Sequence, residues 1–319
     1  MGYYLGIDLG GTNLRAAVAT DSLEIRGRAN ASTPQNASGS EITAELLRTV
    51  ERACAAGNCE LSDIVAAGIG SVGPLDREAG VIEGPANISG TETPVELVEP
   101  LRERLQTDVI TLNNDAVCGV VGERYFADPA PDNLVYLTIS TGIGAGVIVD
   151  GEVLSGAGGN VGEVGHMTID PAERMRCGCG LGGHWEAYAG GANIPRYAKQ
   201  LSRSESVGTE LPIESEDLTA KDIFEKLGDD PLADRVVERI GHWNTLGIAN
   251  VIQTFAPSEI AVGGAVALHN GDAILDPIRR SIDNHVMIDI PEIRLSAGGE
   301  DIVLYGAVLS AVTASSEGE

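Results

Sequence analysis

The chain has 319 residues, 43% of them hydrophobic, which passes the ~250–300 residues at which a single core stops growing and sets two domains as the expectation. Its formal net charge of −26, from 47 acidic against 21 basic residues, excludes generic binding to nucleic acid or anionic membranes, because both need a basic surface that releases counterions. No long apolar run is present and Met1 leads straight into GYYLGIDL without a basic stretch, so neither a membrane span nor a secretory signal is expected, and the protein reads as cytoplasmic.

The carboxylates are spread evenly, and only three lysines (Lys199, Lys221, Lys226) stand against eighteen arginines. This fits a halophilic protein, since at 1 M salt the Debye length falls to ~3 Å and self-repulsion is screened. Loss of structure on dialysis into low salt, followed by circular dichroism, is the expected outcome; full stability in dilute buffer counts against it. Of the five cysteines, Cys54, Cys59 and Cys118 read as inert thiols of a reduced compartment, while Cys177 and Cys179 form the only closely spaced pair.

In chain order, YYLGIDLGGTNLRAAVA at 3–19 reads as strand, tight glycine turn, strand. A P-loop or dinucleotide fingerprint needs its glycines to open a helix, so this text suits a hairpin better. Gly10 and Gly11 allow close approach to a phosphate, Thr12 and Asn13 add donors, and Asp8 at the strand's end is placed to hold magnesium through water; a plain hairpin turn reads the same. SEITAELLRTVERACAAG has helical spacing, with Ser40 as N-cap and Gly57 as stop. IVAAGIGSVGPLD returns to strand and a Gly/Pro-broken turn, and a helix is expected over 94–106. DVITLNNDAVCGVVGERYF is a strand ending on Asn113, Asn114 and Asp115 and running into a helix; a carboxylate there suits proton abstraction or helix capping.

LTISTGIGAGVIVDG at 137–151 repeats the opening grammar about 130 residues on, which suggests a duplicated architecture with a phosphate-gripping turn in each half. GEVGHM and RCGCGLGGHWE follow. His166, Cys177, Cys179 and His184, with ten, one and four residues between them, make a candidate Cys2His2 zinc set, and four protein ligands make such a site structural. Glu163 and Glu186 flank it, as polyol ligands or as solvated charges. The acidic stretch 202–217 reads as a surface connection and 219–255 as dominantly helical. A strand over 258–262 meets Gly263 and Gly264, which admit a flat ligand or permit close packing, and a small-residue helix ends the chain.

Taken in this order, the segments resemble the ROK family of sugar kinases within the actin-like ATPase superfamily, over nearly the whole chain and most of all its glucokinases. LGIDLGGTN is similar to the family's first phosphate loop, GIGSVGPLD to its G-I-G-x-P-G-P segment, NND at 113–115 to the segment with the catalytic aspartate, and TGIGAG at 141–146 to the second phosphate loop. GEVGHM resembles the ExGH sugar motif, CGCGLGGHWE the zinc signature with its sugar-binding glutamate, and IAVGGAV the adenosine-side motif. Three departures stand out: His184 replaces the last cysteine of the zinc signature, Val72 replaces a usual proline, and Ala86-Asn87 replaces a usual Pro-Asn.

The resemblance implies an α/β fold of two actin-like (ribonuclease H-like) domains with mixed sheets flanking a cleft. Residues 1–116 would form the smaller domain, completed by a C-terminal helix over about 303–319, and 117–302 the larger one with the structural zinc site. It implies transfer of the ATP γ-phosphoryl to the 6-hydroxyl of a hexose, glucose first, with Asp115 as general base. Asn87, Asn114, Asp115, Glu163, His166 and Glu186 would ring the sugar. Asp8, Gly10, Gly11, Thr12, Asn13, Thr141, Gly142, Gly144, Gly263 and Gly264 would serve ATP and Mg2+, and His166, Cys177, Cys179 and His184 would hold Zn2+. A homo-oligomer, dimer or tetramer, is expected. A kinase for fructose, N-acetylmannosamine or N-acetylglucosamine, or a non-catalytic sugar sensor, are the alternatives. With no helix-turn-helix before Gly2 and a strongly acidic charge, the chain is expected to fall outside the family's DNA-binding repressor branch.

Overall fold

The structure, a computed structural model, describes residues 2–84, 88, 90–159 and 161–317. It divides into two compact units: Met1–Ala130 with Val153–Val161 and Asp301–Glu319, and Pro131–Glu152 with Gly162–Glu300.

In the first unit, strands β1 (Tyr3–Leu9), β2 (Asn13–Ala19) and β3 (Ile25–Ser32) are joined by short turns and pair antiparallel. Helix α1 (Gly39–Ala56) then carries the chain to β4 (Ile64–Ser71), which pairs parallel to β1, as a crossover requires. The expected cap of α1 needs correction. Ser38, not Ser40, is the N-cap, because its side chain accepts from the Glu41 amide while the Glu41 carboxylate accepts back from the Ser38 amide. Gly57 ends the helix as expected. Strands β5 (Leu75–Asp76), β6 (Val81–Ile82) and β7 (Val95–Glu96) form a small antiparallel sheet. Helix α2 (Val98–Leu105) leads to β8 (Ile110–Asn114), parallel to β4, and α3 (Asp115–Phe126) follows without a break. The sheet order is β3-β2-β1-β4-β8, with Leu5, Ile7, Leu14, Ile42, Leu46 and Ile69 fully buried around it.

The second unit repeats this plan. Strands β9 (Leu134–Ile139) and β10 (Ile143–Val149) make an antiparallel hairpin with β11 (Glu152–Val153) at the sheet edge. After α4 (Glu186–Ala189), α5 (Ile194–Glu205), α6 (Ala220–Phe224) and the long α7 (Pro231–Phe255), β12 (Glu259–Gly263) pairs parallel to β9. Helices α8 (Ala265–His269) and α9 (Gly271–Ser281) precede β13 (Glu292–Leu295), and the sheet order is β11-β10-β9-β12-β13. Each sheet is thus an antiparallel hairpin extended by parallel strands, which makes both sheets mixed and matches the duplication read from the two glycine turns.

The last helix, α10 (Ile302–Glu317), belongs to the first unit. It lies so close that a Cβ on Gly68 would meet the Ala307 carbonyl at 1.9 Å and one on Gly306 would meet the Cys118 carbonyl at 1.7 Å. This contact of α10 with α3 keeps α3 in the first unit, which runs to Ala130 rather than to 116 and also takes in Val153–Val161. No helix of the described residues is long and apolar enough to cross a membrane.

Candidate active site

In the first unit the β1–β2 turn is held from one side only. The Gly10 carbonyl accepts from Thr33 Oγ1, that of Gly11 from Gln35 Nε2 and that of Thr12 from the Thr33 amide, all at 2.8 Å. The Gly10 amide closes the turn onto the Asn13 carbonyl at 2.8 Å. The amides of Gly11 and Thr12 find no partner among the described residues. A turn whose carbonyls are tied back and whose N–H groups are left over is a nest for an anion.

The carboxyl ends of the parallel strands stand beside this turn. Register places Asp8 of β1 level with Gly70 of β4, and Gly70 level with Asn113 of β8. Asn114 is the N-cap of α3, its side chain accepting from the Ala116 amide at 2.9 Å, so the capping reading falls on Asn114 and Asp115 is the first helical residue. Arg77 steadies the segment, donating to Asn113 Oδ1 at 2.6 Å and to the Leu112 carbonyl at 2.9 Å.

The Asp8 side chain is 13% exposed and 3.6 Å from Arg15. Burial above all, with the charges of Asp115 and Asp301 and against the lowering influence of Arg15, pushes its carboxyl up to about 7. An aspartate raised this way favours the folded state while protonated and loses that advantage as pH climbs from its unfolded value through about 7. Asp8→Asn is therefore expected to melt roughly 5 °C above wild type at pH 8 and to converge with it near pH 4, as checked by differential scanning calorimetry. A magnesium ion would remove the same cost by holding the carboxylate ionised, so the residue fits that group.

The β9–β10 turn of the second unit repeats the arrangement. The Ser140 carbonyl accepts from the Gly191 amide at 2.7 Å, that of Thr141 from Ala192 at 3.0 Å and that of Gly142 from Ser140 at 2.9 Å, while the amides of Thr141 and Gly142 find no partner among the described residues. Asn13 and Gly144, expected in the loops, are already strand residues of β2 and β10. Glu186 braces this turn, its Oε2 accepting from the Ile143 amide at 2.9 Å. Glu186 is itself fixed by its neighbour Trp185, which is fully buried, donates to Asn244 Oδ1 at 2.9 Å and packs where Gly247 leaves room on α7. A Cβ on Gly142 would stand 2.3 Å from Glu186 Oε2. Gly142→Ala is expected to displace that carboxylate and to raise KM for both substrates together, which steady-state kinetics would read.

Four donors expected to bind metal come together. The ligand atoms of His166, Cys177, Cys179 and His184 all lie within 4.8 Å of one another. Cys177 Sγ is 3.5 Å from His166 Nδ1, and Cys179 Sγ is 3.3 Å from His184 Nδ1. Ligands of tetrahedral zinc are separated by about 3.3–3.8 Å, so the set fits that ion. The loop is braced by bridges pairing Thr168 with His184 and Arg176 with Gly182, and by the buried Asp170, which accepts from the Tyr188 hydroxyl at 2.5 Å. Gly183, at φ 73°, has the Asp170 carbonyl 2.1 Å from where a Cβ would be. His166 faces two ways, with Nδ1 toward Cys177 and Nε2 3.7 Å from Glu163 Oε2. Cys177 Sγ lies 3.5 Å from Glu186 Oε1, so cluster, both glutamates and glycine turn form one connected set in the second unit.

Gly263 and Gly264 satisfy a packing need. A Cβ would meet the Tyr136 hydroxyl at 2.5 Å or the Ile139 carbonyl at 2.6 Å, and Gly264 has φ 84°. Asn87 lies outside the described residues. Thr33, Gln35, Gly191 and Ala192, which hold the turns, and Arg77 leave no sequence signal; hydrogen bonds spanning 23 or 24 residues leave no periodic trace.

A model of the ROK family matches residues 4–307. A glucokinase of Pyrobaculum calidifontis is 34% identical over 310 residues, 96% of this chain and 94% of that one. Among solved structures, a ROK hexokinase from Thermus thermophilus is 30% identical with a TM-score of 0.78 over 99% of both chains. A ROK family glucokinase from Streptomyces griseus, in complex with glucose and AMPPNP, is 27% identical with a TM-score of 0.80 over 98% of this chain and 100% of that one.

Proposed function

The chain belongs to the ROK family, and on that premise we propose that it is a glucokinase, transferring the γ-phosphoryl group of ATP to the 6-hydroxyl of glucose. The observation that carries this reading is Glu186, which binds the Ile143 amide at the base of an anion-accepting turn with one oxygen and approaches the Cys177 thiol with the other. A group suited to a sugar hydroxyl and a turn suited to a phosphate are thereby one hydrogen-bonded unit.

Asp115 would accept the proton of the attacking hydroxyl as its oxygen bonds to phosphorus. Asn114, Glu163, His166 and Glu186, with Asn87, would orient the sugar through its hydroxyls. The amides of Gly11, Thr12, Thr141 and Gly142 would hold phosphate oxygens, a role left to backbone in a chain with no lysine before residue 199. Gly263 and Gly264 would lie on the adenosine side. Asp8 would stand near a magnesium ion, which when bound neutralises phosphate charge. Zinc held by His166, Cys177, Cys179 and His184 would fix the aim of His166 Nε2 and take no part in the phosphoryl chemistry.

An ADP-release assay over glucose, fructose, mannose, N-acetylglucosamine and N-acetylmannosamine, in molar salt and with or without chelator, tests the reading. The highest kcat/KM is expected with glucose. Preference for an N-acylated sugar would reassign the acceptor, and no ADP release with any sugar would overturn the kinase reading.

A further inference from the structure

We infer that the second unit carries a separate binding site for a small phosphate-bearing anion, in the open pocket between α5 and the segment that leads into Cys177. The pocket, of about 540 Å³, is lined by Arg174, Arg176, Arg196, Lys199 and Arg203. These are five of the chain's 21 basic residues, gathered in one place on a molecule of net charge −26. Residues 196, 199 and 203 fall on one face of α5, so the helix presents its cations to the same volume.

Little in the protein neutralises them. Arg176 donates to the Gly180 carbonyl and Arg196 to Asn193 Oδ1, each at 2.9 Å, and both partners are uncharged. Arg174 is 3.6 Å from Asp170, whose carboxylate is already engaged by the Tyr188 hydroxyl and by the amides of Ala172 and Arg174. Lys199 and Arg203 share the single carboxylate of Glu214, which is 66% exposed and so weakly held. Five cations facing two carboxylates leave a local positive field that an incoming dianion would satisfy. Guanidinium forks match phosphate oxygens in pairs, which favours this anion over a halide. Gln200 and Ser204 line the same wall and offer neutral polar groups to the remainder of an ester.

The recognition differs in kind from that at the Thr141–Gly142 turn, where backbone amides are offered, so the two are separable by mutation. An anion clamped between Arg174 or Arg176 and α5 would also restrain the strand of loop entering Cys177, whose thiol lies 3.5 Å from Glu186 Oε1.

The test is thermal unfolding and calorimetry of the whole protein, at fixed high ionic strength, with inorganic phosphate and, in a second arm, glucose 6-phosphate; the first arm does not depend on the kinase reading. Expected are saturable stabilisation, at least a tenfold loss of affinity in the doubly substituted R196A/R203A, tighter binding in E214Q, and unchanged turnover of R196A/R203A without added phosphate. R196Q/R203Q serves if the alanine form does not fold. Saturation by phosphate alone identifies the free ion, and by the ester alone a sugar phosphate. No saturable effect in either arm, or an effect kept in the double variant, overturns the proposal.

Discussion

Asp115→Asn is expected to lower kcat by about 10²–10⁴-fold while sugar binding stays measurable. The substitution keeps the shape of the side chain, and the Ala116 amide, 2.7 Å from Asp115 Oδ1, keeps an acceptor. What is lost is the ability to take a proton. The helix should survive because its cap is Asn114, and because position 115 lies at the positive end of α3, where a neutral amide merely gives up a favourable charge interaction. Asn114→Ala separates the cap from the base, since it costs about 1 kcal/mol of stability and weakens sugar binding without removing a base. Steady-state ADP release paired with sugar calorimetry reads both variants. A near-wild-type kcat for Asp115→Asn would take this residue out of the base role and, with it, the mechanism proposed here.

The two halves of the molecule were legible to different depths. The hairpins around Gly10 and Gly142 announced themselves because strand text, a small-residue turn and more strand text recur, and each hairpin is antiparallel and extended by two parallel strands. The clustered histidine and cysteine side chains were legible because both residue types are scarce, so four of them within 19 residues are conspicuous. Glu163 and Glu186 were ambiguous, since a chain with 47 carboxylates hides a functional pair among solvated ones. Only their contacts, with His166 Nε2 and with the Ile143 amide, separate them from the rest. The helix start at Ser38 was missed for a related reason: Ser38 and Ser40 both carry a capping hydroxyl, and the choice is made by which one the Glu41 carboxylate can answer. The turn-holding contacts of Thr33, Gln35, Gly191 and Ala192 were illegible, because what selects them is three-dimensional closure around carbonyl groups that every residue possesses.

Removal of the zinc proposed for the His166, Cys177, Cys179 and His184 cluster is expected to raise the sugar KM by about 10–100-fold and to lower the melting temperature, with a smaller effect on kcat. Glu186 and His166 carry the effect. Without an ion, the 3.5 Å and 3.3 Å sulfur–nitrogen contacts are weak hydrogen bonds, which leaves the bridges at Thr168–His184 and Arg176–Gly182 and the buried Asp170 to order a loop with Gly180 and Gly183 in left-handed conformations. His166 would then be free to turn its Nε2 away from Glu163, and Glu186 would lose the Cys177 contact while keeping its bond to Ile143. Sugar orientation suffers before phosphate binding does, which is why KM for sugar should rise more than KM for ATP. Cys179→Ser is the cleanest variant, because Cys179 is exposed and touches neither glutamate, whereas replacing the buried Cys177 disturbs Glu186 directly. His184→Cys, which supplies the thiolate usual at the end of the family signature, should retain the ion and near-native KM, since imidazole and thiolate both complete a tetrahedral shell. Metal content by mass spectrometry must accompany each measurement. A verified zinc-free protein with unchanged sugar KM and unchanged melting temperature would separate the cluster from the sugar site altogether.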